Sequence, residues 1–259
     1  SLTYTNTMPP VGLLPQAKKS IELGFESKFL QNRVGLDFTY YKENTINQIM
    51  SIDVSRTTGF STQTINAGNL QNVGAEITVW ATPVKTNSFS WDVSVNWAKN
   101  ENKVVELYGD MHDMTLFYMS WGTYAKARIG EPYGQIMAYD IVRENAIPHY
   151  QDPDKTVIDY IEYTGRPVVS TSGNYIKTPY RTLMGNVMPE WFGGVNNAFS
   201  FKGINFSFLV DFRKGGQQFS VTDWFGHYAG VLAGTAGINP NGKNVREDVA
   251  DGGGVRVEG

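Results

Sequence analysis

The sequence contains no cysteine and no long run of apolar residues. The missing cysteine excludes disulfides and thiol chemistry, and a chain without about 18 consecutive apolar residues has no predicted transmembrane helix. The formal net charge of −3 gives no general attraction to nucleic acid or to an anionic membrane surface. The opening residues Ser1 to Tyr4 lack the basic and apolar regions of a signal peptide, so we expect the start to be internal to a longer protein.

What the chain has in quantity is aromatic residues, 13% of the total, together with 27 glycines. A composition of this kind suits a β-rich protein of an exported bacterial compartment. Apolar and polar residues alternate in several segments, and a period of two predicts strands with one apolar and one polar face. We predict strands at 18–30, 33–43, 73–82, 89–99 and 131–143, with further short strands possible at 48–54, 157–163 and 168–169.

The clearest pattern is a predicted hairpin over residues 191–213, in which Lys202-Gly203 forms the turn. Its second strand places Ile204, Phe206, Phe208, Val210 and Phe212 on one face. Two strands of about ten residues with aromatics on one face are typical of a membrane β-barrel. A soluble β-sandwich also alternates in this way, so the hairpin alone leaves both interpretations open.

The lengths of the predicted connections favour the barrel. Short turns near residues 31–32, 83–88 and 202–203 alternate with long connections at 44–72 and 100–130 and with a polar tail after residue 213. Outer-membrane barrels have short periplasmic turns and long extracellular loops, whereas a sandwich has no cause for that asymmetry. Carboxylates in the middle of strands, such as Glu22, Glu76 and Asp211, would be tolerated by a polar lumen.

Several segments together resemble the C-terminal part of SusC/RagA-type TonB-dependent transporters. They occur in the family's order over most of residues 14–220, and the ordered set is more specific than any one of them. The segments are Ser20-Ile21-Glu22-Leu23-Gly24-Phe25-Glu26, Asn32 to Tyr41, Thr45 to Ile49, Asn66 to Glu76, Trp91 to Val104, Arg128 to Gly134, Leu183 to Gly194, and Asp211 to Gly216.

The resemblance implies an all-β fold, an antiparallel transmembrane segment of a barrel of about 22 strands in the outer membrane. It implies that residues 1–259 are a partial C-terminal region without the plug domain, with about 8–10 strands and long extracellular loops. The implied function is import of glycans or peptides with a SusD-like surface lipoprotein as partner. The implied energy source is the TonB complex, contacted through the missing N-terminal part.

No catalytic, metal or cofactor site is predicted, and we expect no enzymatic activity and no nucleic-acid partner. The three histidines lie far apart in the sequence, and Asp152-Pro153-Asp154 is more typical of a turn than of a calcium loop. The predicted lipid-facing residues are Phe25, Phe38, Val93, Phe206 and Phe208. The aromatic residues Tyr118, Trp121 and Tyr124 are candidates for contact with ligand or with the lid protein, although packing on neighbouring loops would explain them as well.

Two other functions remain open from the sequence alone. One is a soluble secreted β-sandwich that binds carbohydrate, in which the row from Ile204 to Phe212 would be buried. The other is a complete small barrel of eight to ten strands, acting as an enzyme or an adhesin. The exposure of the apolar row separates the first alternative from the transporter, and the full gene length separates the second.

Overall fold

The computed structural model describes residues 6–171 and 174–254. Ser1 to Tyr4, on which the expectation of an internal start was based, lie outside the described residues. The chain divides into two compact units. Unit 1 comprises residues 1–116, 126–135 and 186–217, and unit 2 comprises residues 117–125, 136–185 and 218–259.

Unit 1 is built around a six-stranded antiparallel sheet. Its strands are β2 (Ala17–Phe29), β3 (Val34–Ile46), β6 (Asn69–Lys85), β7 (Phe89–Glu106), β14 (Pro189–Phe201) and β15 (Ile204–Gly215). They lie in the order β15-β14-β7-β6-β3-β2, so each strand of the sheet pairs with the sheet strand that precedes or follows it in the chain. This is the up-and-down connectivity that the alternating segments predicted.

Smaller elements lie in the long connections, before β2 and after β15. One sheet has the order β1-β5-β4, another the order β13-β10-β9-β8, and β11 pairs with β12 as a hairpin. Their bounds are β1 (Thr7–Met8), β4 (Ile49–Asp53), β5 (Thr62–Asn66), β8 (Asp113–Ser120), β9 (Thr123–Arg128), β10 (Gln135–Ala138), β11 (Arg143–Tyr150), β12 (Ile158–Pro167), β13 (Thr182–Asn186), the α-helix α1 (Val221–Tyr228) and the 3-10 helices Arg56–Thr58, Ala233–Thr235 and Val249–Asp251. Within residues 6–171 and 174–254, no helix is long and apolar enough to cross a membrane.

The connections of the six-stranded sheet differ in length between its two ends. At one end, here called the turn end, the strands are joined by residues 30–33, 86–88 and 202–203. At the other, here called the loop end, they are joined by residues 47–68 and 107–188, which contain β4, β5 and β8 to β13. Lys202 and Gly203 have φ values of 46° and 88°, a left-handed pair that matches the twist of a two-residue hairpin. The asymmetry inferred from the sequence is therefore present.

Three sequence expectations were wrong in detail. Residues 100–130 were expected to be a connection, but β7 continues to Glu106 and β8 and β9 follow it. The predicted strand at 131–143 is shorter, as β10, and β11 was not expected. The polar tail contains α1, whose start is capped by Ser220: its side-chain oxygen accepts a hydrogen bond of 3.1 Å from the Asp223 N–H. Short amphipathic segments are the ones for which local patterns are weakest.

Glycines of the sheet lie opposite large aromatic side chains. Gly35 pairs with Trp80, and Gly74 pairs with Tyr41. A Cβ atom on Gly35 would lie 2.0 Å from the Trp80 ring, and one on Gly74 would lie 2.4 Å from the Tyr41 ring. Each ring therefore covers the backbone of the glycine opposite, the arrangement known to compensate for the missing side chain of a strand glycine.

A small apolar core lies at the loop end of unit 1. Val104, Leu107, Met114 and Ala127 are buried together, and half-buried residues that include Met50, Leu70 and Tyr133 pack around them. The Asn102 side-chain oxygen also accepts a 2.7 Å hydrogen bond from the Tyr133 N–H. Burial and hydrogen bonding thus anchor the long connections to the start of β6 and the end of β7.

We expect Gly35→Val to destabilise the sheet by about 1–3 kcal/mol, because the new side chain occupies the position of the Trp80 ring. Gly24→Val is the matched control: Gly24 lies on the same face, and its nearest neighbours would be 3.8 Å from a Cβ atom. The measurement is the unfolding midpoint of the protein in detergent, with tryptophan fluorescence to detect displacement of Trp80. Equal midpoints for the two variants would contradict this account of the Gly35–Trp80 pair.

Candidate functional site

The six-stranded sheet has two chemically different faces, and the register defines them. Phe25 pairs with Phe38, Phe38 with Ile77, Ile77 with Trp97, and Trp97 with Gly193. Directly paired residues project to the same side of a sheet, and successive residues of a strand project to opposite sides. This pairing therefore assigns every regularly paired strand residue to one of two faces.

The first face, here called the apolar face, consists mainly of aliphatic and aromatic side chains. Its members between the two ends include Ile21, Leu23, Phe25, Phe29, Leu36, Phe38, Tyr40, Val73, Ile77, Val79, Phe89, Trp91, Val93, Val95, Trp97, Val195, Phe199, Phe201, Ile204, Phe206, Phe208, Val210 and Phe212. On β2 the apolar residues extend from Ile21 to Phe29, about 26 Å along the strand. Nine residues is the number that a tilted strand needs to cross a bilayer.

Aromatic rings stack across β7, β14 and β15 on the apolar face. The Phe199 ring lies between Trp91, at 5.8 Å between centroids, and Phe206 and Phe208, each at 6.3 Å. These rings are not enclosed: Phe206 is 61% exposed and Phe208 is 43% exposed. An exposed apolar patch of this kind is typical of a surface that contacts another protein or a membrane.

The second face, here called the polar face, carries most of the carboxylates of the sheet. They are Glu22, Glu26, Asp37, Glu43, Glu76, Asp92 and Asp211, accompanied by Lys18, Lys28 and Arg213. Hydrogen bonds link its amides near the loop end: the Tyr41 hydroxyl donates to the Asn100 side chain at 3.2 Å, and Asn100 donates to Asn72 at 3.1 Å. The face is mainly hydrophilic, with Trp80, Phe192 and Leu209 as apolar exceptions, and bears an excess of negative charge.

All residues predicted to face lipid lie on the apolar face. Phe25 and Phe38 are directly paired, Val93 and Phe208 both pair with Asn197, and Phe206 pairs with Phe199. Phe25 is 57% exposed, so none of the described residues forms a second sheet over it. That arrangement differs from a sandwich, in which the same row would be buried. Contact with lipid itself stays a prediction.

The aromatic candidates lie in unit 2, at a hairpin between β8 and β9. The Tyr118 and Tyr124 rings are 5.1 Å apart, and the Tyr118 hydroxyl accepts a 3.0 Å hydrogen bond from the Gly122 N–H. The Arg181 guanidinium lies over Tyr124 at 4.5 Å, and its Nε donates to the Gly122 carbonyl at 2.7 Å. Tyr118 remains 57% exposed, so the cluster holds this tyrosine at the surface.

Trp121 packs against α1 rather than against the two tyrosines. Its ring stacks on Trp224 at 4.6 Å and meets the edge of Phe225 at 4.7 Å. Trp224 also stacks on Tyr228 at 5.8 Å. An open depression of about 590 Å³ beside this stack is lined by Gln218, Phe219, Ser220, Asp223, Trp224, His227 and Tyr228. The structure therefore brings Tyr118 and Tyr124 together and places Trp121 in a second cluster.

Sequence reasoning missed Arg181, Tyr139, Trp224 and Phe225, which complete the two clusters of unit 2. The guanidinium of Arg181 also lies 4.8 Å from the Tyr139 ring, and no local pattern connects residues so far apart in the chain. A signal did exist for α1: Ser220 followed three residues later by Asp223 is the pattern of a helix start. The polar composition of residues 214–259 led to the prediction of an irregular tail instead of this helix.

Two carboxylates of unit 2 have lowered pKa values. Hydrogen bonds from Arg166, helped by its charge, lower the pKa of Glu144. The Thr156 and Val157 N–H groups and the Thr156 hydroxyl donate to Asp152 and lower its pKa. Asp152 thus closes the turn between β11 and β12, in agreement with the prediction of a turn at this position.

Comparisons with known proteins agree on one class. The sequence model of the "Outer membrane protein beta-barrel family" matches residues 11–133. Among curated proteins, TonB-dependent receptor P26 of Formosa agariphila is 22% identical over 80% of this chain and 21% of its own length. TonB-dependent receptor SusC of Bacteroides thetaiotaomicron is 25% identical over 72% of this chain and 18% of its own length.

Solved structures show the same fold. A structure of the RagAB peptide transporter superposes with a TM-score of 0.54 at 20% identity, covering 76% of this chain and 20% of that chain. The RagAB peptide importer in its closed-closed state gives 0.55 at 20% identity, covering 77% of this chain and 21% of that chain. The mainly β chain described above therefore matches part of the barrel of TonB-dependent receptors.

By its two-faced sheet and these matches, the chain is similar to part of the barrel of outer-membrane β-barrel proteins. More particularly, the chain is a distant homologue, over most of its length, of SusC/RagA-type TonB-dependent receptors. These matches indicate the outer membrane, and the relatives are named as TonB-dependent receptors or as a peptide transporter. The chain spans about a fifth of the length of the curated relatives it matches.

We expect Arg181→Lys to loosen the β8–β9 hairpin by about 1–2 kcal/mol, because lysine cannot reproduce the stacking on two tyrosines together with the bond to Gly122. Hydrogen exchange of residues 117–125 should accelerate by roughly tenfold. Arg143→Lys is the control, since Arg143 donates to Gly165 at 3.2 Å in the β11–β12 hairpin. Unchanged exchange at 117–125 in Arg181→Lys would show that the guanidinium does not hold this hairpin.

Proposed function

We propose that this chain forms part of the wall of an outer-membrane barrel that imports nutrients, glycans or peptides, in a TonB-dependent manner. The observation that carries the proposal is the six-stranded sheet with a continuous apolar face and a continuous polar face. The apolar face would meet acyl chains, and the polar face would line a water-filled lumen.

Closure of the barrel is part of the proposal. The sheet has two edges, β2 and β15, whose outer backbone groups pair with no strand among the described residues. In a bilayer each unsatisfied backbone group costs several kcal/mol, so spanning sheets are closed. Residues 1–259 would therefore be a partial C-terminal region, whose edges pair with strands of the rest of a barrel of about 22 strands.

The orientation follows from the connections. With the turn end in the periplasm and the loop end outside, the long connections and unit 2 would be extracellular. There we propose that Tyr118, Trp121 and Tyr124 contact the ligand or a SusD-like lipoprotein lid. The RagAB structures support a two-component assembly in a related system. The exposed Tyr118 and Trp121 rings support the contact, since exposed aromatic side chains are frequent anchors of interfaces.

The lipid contact is tested with single cysteines, because the chain itself contains none. We expect Phe208→Cys to resist a water-soluble maleimide in intact outer membranes, since a group in the acyl layer is shielded from the reagent. Ser207→Cys, the next residue and on the polar face, should react at least about tenfold faster once the reagent enters the lumen. Labelling should be read by mass spectrometry.

Fast labelling of both positions would refute a lipid-facing apolar face. Slow labelling of both would leave the polar face without a water-filled lumen, which also contradicts the proposal. Detergent-denatured samples serve as the control, because both cysteines must then react at the same rate.

The extracellular contact is tested by Tyr118→Ala. We expect it to reduce copurification of the surface lipoprotein or uptake of oligosaccharide and peptide mixtures by about tenfold, the loss of roughly 1–2 kcal/mol from an aromatic anchor. Phe117→Ala is the matched control, because Phe117 is similarly exposed but projects to the other side of β8. If both substitutions leave copurification and uptake unchanged, Tyr118 is not part of the contact.

A further inference from the structure

A groove on the apolar face, at the loop end of unit 1, combines an apolar floor with lysines. Its volume is about 970 Å³. The floor includes Val73, Trp97 and Trp191 from the strands and Pro132 and Met188 from the connections. Lys99, Lys103 and Lys214 line the same groove, accompanied by Glu101 and Glu190.

The register places these lysines on the apolar face. Lys99 pairs with Ala75, Lys103 pairs with Gln71, and Lys214 pairs with Trp191. They follow Trp97 on β7 and Phe212 on β15, the last aromatic residues of the apolar face on those strands before the loop end. Two further lysines, Lys19 on β2 and Lys42 on β3, occupy the equivalent level of the same face.

The charge of this zone contrasts with that of the polar face. Lys99 forms an ion pair of 2.5 Å with Glu101, and Lys214 forms one of 3.0 Å with Glu190. Lys103 is exposed and forms no ion pair with the part of the chain that the structure describes. The carboxylates of the sheet lie mainly on the polar face, whereas the lysines of the apolar face lie at its loop end.

We infer that this groove binds an anionic, phosphate-bearing lipid of the outer leaflet. The floor is continuous with the apolar face, since Trp97 pairs with Ile77 and with Gly193, which in turn pairs with Phe212. An occupant must therefore be apolar on the side of the bilayer centre and anionic at the level of the lysines. A lipid with acyl chains and a phosphate headgroup has both properties in that order.

The inference rests on the proposed function, because it requires the apolar face to meet acyl chains. Lysine ammonium groups bind phosphate as point charges on flexible stems, and the stems can lie along the apolar floor. Tryptophan at the border of the acyl layer is typical of membrane proteins. Glu101 and Glu190 neutralise part of the charge, so their removal should strengthen binding.

The test uses the complete protein as it is produced in the outer membrane, purified in mild detergent. Native mass spectrometry counts the phosphate-bearing lipids that remain bound. We expect the triple variant Lys99→Gln, Lys103→Gln and Lys214→Gln to retain at least about tenfold less lipid. The control replaces Lys18, Lys28 and Lys85 with Gln, which removes equal charge from the polar face and the turn end and should leave retention unchanged.

A second variant distinguishes loss of lipid binding from misfolding. Glu101→Gln with Glu190→Gln should raise lipid retention, the opposite direction from a folding defect. Equal retention in wild type and the lysine variant would overturn the inference. So would displacement of the lipid by millimolar inorganic phosphate, which would indicate a simple anion site. The cysteine labelling at Phe208 separates this failure from failure of the wall itself.

Discussion

The register of the six-stranded sheet is the constraint on which the rest of this protein depends. Side chains alternate with a period of two, so a slip of one residue in any strand would move its apolar row to the polar face. The direct pairing that runs from Phe25 through Phe38, Ile77, Trp97 and Gly193 to Phe212 shows that all six strands share one phase along this row. Short turns such as Lys202-Gly203 fix that phase locally, because a two-residue hairpin allows a single alignment.

The alternation of residues between the two faces also explains which strand positions tolerate charged side chains. The carboxylates of the sheet can be placed in the middle of strands because their face is exposed to water, as Glu76 and Asp92 are. The apolar face has its lysines only at the loop end, where a side chain can reach a polar environment. A single sheet therefore presents an apolar face, a polar face and a group of lysines at the loop end of the apolar face.

The long connections have a different physical basis from the strands. They are held by a small buried core around Val104 and Met114, by backbone anchors such as Asn102, and by the stacking of Arg181 on tyrosines. These contacts join residues that are far apart in the sequence. Structure of this kind allows loops to vary in sequence while the strands that carry them keep their pattern.

The sequence by itself determined most strands of the six-stranded sheet, their faces and the unequal lengths of their connections, because alternation is a local property of neighbouring residues. It also placed Phe25, Phe38, Val93, Phe206 and Phe208 on one side, since each belongs to a regular strand. Tertiary structure alone decided the partners of Trp121, the position of Arg181 over Tyr124, and the grouping of Lys99, Lys103 and Lys214 around one groove. Those arrangements depend on contacts between distant segments, which a period of two residues does not encode.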